Sequence, residues 1–119
     1  MRHLRADLQR RRVKRAEDLR KLKSGAQVKV AGLVIGRQRP ETASGVTFIT
    51  LEDETGLVNL IVHRKIFDEQ YRIARHAEMV LVSGKVERDG DVIHVLAKQF
   101  EKLSLPMAEK LPTRSRDFH

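Results

Sequence analysis

The sequence predicts a mainly β fold, a small barrel of five strands with a helix between the third and fourth and short helices ahead of the first. Three observations lead there. Three β-rich runs, residues 28–37, 46–51 and 57–62, follow one another with short polar connections, as in an antiparallel meander. A helical pattern comes next, and then two more β-rich runs, 77–88 and 92–98, flank Asp89-Gly90, a dipeptide suited to a tight hairpin. The first run carries Gly32 and Gly36 inside it, which suits a strand that must coil sharply to close a small barrel.

Taken in order, residues 2–23 contain no Gly or Pro and are rich in Leu, Arg, Lys and Ala, all good helix formers. Leu4 and Leu8 share one face and Leu19 and Leu22 another, so the spacing predicts two short helices over 4–11 and 15–22, the second stopping at Ser24-Gly25. In strand one, alternation places Val28, Val30, Gly32 and Val34 inside and Lys29, Ala31, Leu33, Ile35 and Arg37 outside. Strand two puts Thr47, Ile49 and Leu51 inside, with Val46, Phe48, Thr50 and Glu52 outside. Strand three sets Val58, Leu60 and Val62 against Leu57, Asn59 and Ile61, with Asn59 marking the outer side. Phe48 is thereby expected on one exposed face with Thr50, Asn59 and Arg37.

Residues 63–75 read as one helix whose Ile66, Phe67, Gln70, Tyr71 and Ala74 follow helical spacing. Phe67 and Tyr71 are expected to plug the open end of the barrel. Strand four turns Val80, Val82, Gly84 and Val86 inward; strand five turns Ile93, Val95 and Ala97 inward and His94 and Lys98 outward. Few apolar residues follow Leu105. The expected organisation is a basic helical lead segment over 1–24, a barrel over 25–105 and a flexible tail over 106–119.

Composition bounds the function. A chain of 119 residues holds one modest domain. It has no Cys, so disulfides and thiolate metal sites are excluded. It has no apolar run long enough to span a bilayer and no apolar signal-peptide core at its start, and a cytoplasmic location is the expectation. The formal net charge is +8, but residues 1–24 hold ten Lys/Arg against three Asp/Glu, while residues 25–119 hold fourteen against thirteen. The barrel is therefore almost neutral, and bulk basicity is a weak argument for what it binds.

Chemistry is sparse. The five histidines show no ligand spacing, and the chain has no glycine-rich phosphate loop and no nucleophile elbow. Glu52-Asp53-Glu54 offers carboxylates to Mg²⁺, but in a strand-to-strand turn where charge is expected for solvation. No catalytic residue, metal, cofactor or small-molecule substrate is expected for this chain alone.

The order of three strands, helix and two strands is that of the OB-fold, a Greek-key barrel that binds oligonucleotides on its strand 2–3 face and adjoining loops. Phe48 on the outer face is the residue expected to stack a base. Thr50 and Asn59 would hydrogen-bond, and Arg37 and Arg39, at the start of the polar loop 37–45, suit phosphate or base contacts. Arg64 and Lys98 are further phosphate candidates. Arg11 and Arg12 belong to the densest basic run, Arg10 to Arg15, which is either a solvated surface or an arm contacting phosphates.

The segment Val30-Ala31-Gly32-Leu33-Val34-Ile35-Gly36-Arg37-Gln38-Arg39-Pro40, with Ala43-Ser44-Gly45-Val46 and Phe48 through Gly56, closely resembles the OB-fold region of bacterial C-family DNA polymerases. Val92-Ile93-His94-Val95, Ala97 and the ending Ser115-Arg116-Asp117-Phe118-His119 look most like the C-terminal end of that family's error-prone branch, relatives of the replicative α subunit. The resemblance covers roughly residues 25–119. It implies a module binding single-stranded template DNA in repair and translesion synthesis, with the catalytic palm elsewhere. One departure is His63-Arg64, where the family has an aromatic residue followed by Pro; positive charge replaces a stacking group there. The same face also resembles the anticodon-binding domains of class II aminoacyl-tRNA synthetases, whose residues matching Phe48 and Asn59 meet anticodon bases. Single-stranded DNA is the expected partner. The alternative is a module that docks a polymerase onto accessory proteins, motivated by the near-neutral barrel and its few aromatics.

Overall fold

The computed structural model describes residues 13–40 and 45–103. A 3₁₀ helix, Ala16–Lys21, precedes β1 (Gln27–Gln38), β2 (Thr47–Asp53) and β3 (Gly56–Val62). Two short helices follow, α1 (Arg64–Glu69) and α2 (Tyr71–His76), and then β4 (Met79–Asp89) and β5 (Val92–Lys102). The strands close into a barrel in the order β1-β2-β3-β5-β4, with β3 and β5 parallel and every other pair antiparallel. That is the OB-fold order.

The interior is the one that alternation predicts. Val28, Val30, Ile49, Leu51, Val58, Leu60, Val62, Val80, Val82, Val86, Val95 and Ala97 form a single buried cluster. All the largest fully buried side chains are aliphatic, each contributing about 1.5–3 kcal/mol by leaving water. Thr47 joins the buried set at the end of the barrel. On the outer side of β1 and β4, the paired residues Ala31 and Leu81, and Leu33 and Met79, are buried as well, outside this central cluster. Ala31 and Leu33 thus face outward as expected without being exposed.

Two bulges reset the alternation. On β1, Val34 pairs with Leu51 but Gly36 with Thr50, so Ile35 is an extra residue. Beyond it the phase reverses: Arg37 pairs with inward Ile49, and Gln38 with outward Phe48. Arg37 is therefore not on the outer face, and Gln38 takes its place beside Phe48. On β5, Ser83 pairs with Gln99 but Gly84 with Ala97, leaving Lys98 as the extra residue. The reversal there brings Phe100 inside and extends the strand to Lys102, past the residue 98 at which the alternating pattern ends.

Close strand approach explains two glycines. A Cβ on Gly32 would lie 2.6 Å from the Glu52 carbonyl oxygen. One on Gly84 would collide still more closely with the Leu96 carbonyl. Each strand crossing is too tight for a side chain, as a small coiled barrel requires.

The expected single helix over 63–75 is two. Gln70 breaks it with φ −117° and ψ 34°. Its side chain donates to the Lys98 carbonyl (3.0 Å) and accepts from the Phe100 amide (2.6 Å), so it serves the β5 bulge instead of continuing the helix. Phe67 is buried as expected, and Ala74 with it. Tyr71 is not a plug: the break swings it outward, 48% exposed.

The second leading helix forms as a shorter 3₁₀ turn, and Leu19 enters the core. Asp53, in the acidic turn, holds it there. One carboxylate oxygen accepts from the Thr55 amide and hydroxyl and the Gly56 amide, while the other accepts from the Ala16 amide at 2.7 Å. The expected helix over 4–11, the basic residues Arg11 and Arg12, and the tail over 106–119 lie outside the described residues.

Candidate nucleic-acid interface

The outer face of β2 and β3 is built from two cross-strand rows. Phe48 on β2 lies beside Gln38 on β1 and Ile61 on β3, and Ile61 beside Leu96 on β5. The next row runs Gly36, Thr50, Asn59, His94. Phe48 and Thr50 are half-buried and Asn59 is exposed. One row thus offers a ring flanked by aliphatic carbon, and the other offers hydroxyl, amide and imidazole groups. This is what a single strand needs, since bases stack on rings and hydrogen-bond through their edges. Among the expected residues, Phe48, Thr50 and Asn59 are brought together here. Gln38 and Ile61 were not singled out from sequence as contacts.

The cations expected on this face are distributed around it. Arg37 points to the closed end of the barrel, where its Nε donates to the Ala74 carbonyl (2.7 Å) and its Nη2 to the Ala77 carbonyl (2.6 Å). It satisfies carbonyls at the end of α2, which otherwise lack partners. Burial, and secondarily the charge of Arg75, lower its pKa from the ordinary arginine value. Arg39 donates to Thr47 Oγ1 at 3.1 Å and stacks its guanidinium 4.9 Å from the Phe67 ring centroid. Arg64, exposed at the start of α1, is 3.7 Å from Asp68. Such a surface pair contributes about 0–1 kcal/mol and gives way readily to a phosphate.

Two depressions hold Arg37, Arg39 and Lys98, and the first adjoins the face through Gln38. A cleft of about 350 Å³ opens where the end of β1 meets the helix pair, lined by Arg37, Gln38, Arg39, Phe67, Tyr71 and Arg75. On the β1–β4 side, Lys98 lines a wider groove of about 710 Å³ with Lys14, Arg15, Lys29 and Lys85. The leading segment helps to form it, since the Lys14 amide donates to the Lys29 carbonyl at 2.7 Å. Lys98 therefore belongs with the groove cations and not beside Arg39. No group of three or more His, Asp or Glu among the described residues is arranged to hold a metal ion. No described helix is long and apolar enough to cross a membrane.

A closed barrel of this strand order, with an aromatic and hydrogen-bonding outer face, is an OB-fold of the nucleic-acid-binding kind. The chain belongs to that family: the model described as "OB-fold nucleic acid binding domain", of the tRNA anti-codon type, matches residues 15–103. The individual proteins it resembles are more specific. Error-prone DNA polymerase of Pseudomonas aeruginosa is 47% identical over 116 residues, covering 98% of this chain and 11% of that protein. Error-prone DNA polymerase of Rhodopirellula baltica is 47% identical over 114 residues, covering 96% of this chain and 10% of that protein. The chain thus spans about a tenth of the length of the curated relatives it matches. Among solved structures, asparaginyl-tRNA synthetase from Pyrococcus horikoshii superposes with a TM-score of 0.64 at 23% identity, over 75% of this chain and 22% of that one. The Stn1-Ten1 complex of S. pombe gives 0.55 at 20% identity, over 65% and 57%. These two show the fold.

Proposed function

We propose that this chain binds single-stranded DNA across the outer face of β2 and β3, as the OB module of an error-prone DNA polymerase that works in repair and translesion synthesis. Catalysis then belongs to parts of the polymerase other than this module. The observation that carries the reading is the outer-face pair of rows, with Phe48 beside Gln38 and Ile61 and with Thr50, Asn59 and His94 alongside. The polymerase assignment draws on the identity of 44–48% with proteins of that name. Arg39 and Arg64 at the edge of the face supply phosphate contacts.

Stacking one base on one ring contributes about 1–3 kcal/mol. Phe48→Ala should therefore weaken binding of a labelled oligothymidine, read by fluorescence anisotropy, by about tenfold, with Phe48→Tyr close to the parent. Equal affinity of Phe48→Ala and parent, with both folded by circular dichroism, would remove Phe48 from the interface.

A second reading, docking onto polymerase accessory proteins, draws on Leu57 and Val92, 56% and 48% exposed. Each lies two residues before the paired Asn59 and His94, so both sit at one end of the same face. In that case oligothymidine binding is weak and lost at moderate salt, and Leu57→Ser and Val92→Ser leave it unchanged.

A further inference from the structure

The cleft beside the helix pair has a composition that the outer face lacks. Three guanidiniums, of Arg37, Arg39 and Arg75, line it, and no Asp or Glu does so among the described residues. Arg37 and Arg75 are near enough for the second charge to depress the pKa of the first. An anion placed between these groups would relieve that crowding. Phosphate suits it, because arginine's planar fork matches phosphate oxygens.

The cleft also holds an aromatic surface. Tyr71, 48% exposed, makes T-shaped contacts with Phe67 and His76, with ring centroids 5.7 Å away in both cases and interplanar angles of 84° and 81°. These contacts pack the ring against its neighbours before any ligand arrives, which lowers the ordering cost of stacking on it. A planar heterocycle with an attached phosphate matches both halves of the cleft. Position adds a third argument: Gln38 lines the cleft and is also the cross-strand partner of Phe48. A strand leaving Phe48 over the edge of β1 runs directly into it.

We propose that this cleft is a nucleotide subsite, in which the base of one nucleotide stacks on Tyr71 and its phosphate sits between Arg39 and Arg75, extending the strand bound at Phe48. The extension rests on the face-binding reading above; the cleft's affinity for a nucleotide does not. Arg37 is committed to the α2 carbonyls and contributes charge without being free to move.

The test uses the ¹⁵N-labelled 119-residue chain with Arg75→Gln and Tyr71→Leu. Both change exposed side chains, and parent-like melting curves confirm the fold. Titrants are oligothymidine, thymidine 5′-monophosphate and inorganic phosphate. Each variant should weaken oligothymidine binding about five- to tenfold, while Phe48, Thr50 and Asn59 still shift on titration. Arg75→Gln should also lower the slope of log K against log salt by about 0.7, the contribution of one phosphate contact in a single strand. If both variants bind oligothymidine like the parent while Phe48→Ala does not, the subsite is overturned and the face reading stands. If inorganic phosphate shifts the cleft as strongly as the monophosphate does and neither variant affects oligothymidine, the site takes a free anion and the nucleotide subsite is overturned. If the cleft responds to oligothymidine and the face does not, the subsite stands and the face reading falls.

Discussion

A guanidinium that donates to two backbone carbonyls at 2.7 and 2.6 Å is a clamp on the chain before it can be a ligand contact. Arg37 holds the last turn of α2 against the end of the barrel, and its removal leaves two partly buried acceptors unsatisfied. Hydrogen bonds to charged groups are worth about 1.5–3 kcal/mol, so Arg37→Ala should lower stability in urea denaturation by about 2–3 kcal/mol. Arg37→Lys should recover only part of this, since an ammonium cannot reach two carbonyls with one planar fork. An unchanged midpoint for Arg37→Ala would show that the clamp is not needed. Phe48 stands at the other extreme. Its place was readable from strict alternation in β2, where Thr47, Ile49 and Leu51 are buried and nothing interrupts the period.

The elements depart from their sequence patterns where one extra residue enters a strand. Ile35 and Lys98 each sit in a bulge, and each reverses which side chains point inward beyond it. The β5 bulge is tied to the helix pair, because Gln70 bonds the Lys98 carbonyl and the Phe100 amide. No Gly or Pro marks the break at Gln70, so a helical period over 63–75 gave no sign of it. Gly84 sits at the neighbouring crossing, where a Cβ would strike the Leu96 carbonyl. Backbone cannot step aside as a flexible side chain can. Gly84→Ala should therefore cost at least about 2 kcal/mol, in the range of overpacked cores, and Gly36→Ala much less, since nothing lies within 4 Å of its Cβ position. Thermal melts of the two variants make the comparison, and equal melting temperatures would contradict it.

For the whole molecule, the arrangement of charge decides more than its sum. The barrel is nearly neutral, yet some of its described cations are grouped: Arg37, Arg39 and Arg75 line the cleft, and Lys29, Lys85 and Lys98 line the groove with Lys14 of the leading segment. Single-strand binding across β2 and β3 should use the first and not the second. Each phosphate neutralised adds about 0.7 to the slope of log K against log salt. Arg39→Gln and Arg64→Gln should each lower that slope by about one contact, whereas Lys29→Gln and Lys85→Gln should leave it unchanged. A slope that falls for the lysine variants instead would place the strand in the groove, on the opposite path around the barrel.

The sequence by itself determined the succession of strands and helix along the chain, the aliphatic interior and the outward place of Phe48, Thr50 and Asn59. These depend on period-two alternation and short turns, which are properties of neighbouring residues. The direction of Arg37, the exposure of Tyr71, the association of Lys98 with the groove and the pairing of Arg39 with Phe67 came only with the folded chain. Each depends on where a closed barrel must bulge to keep its strands in register, or on residues distant in sequence meeting at its end, and no local period encodes either.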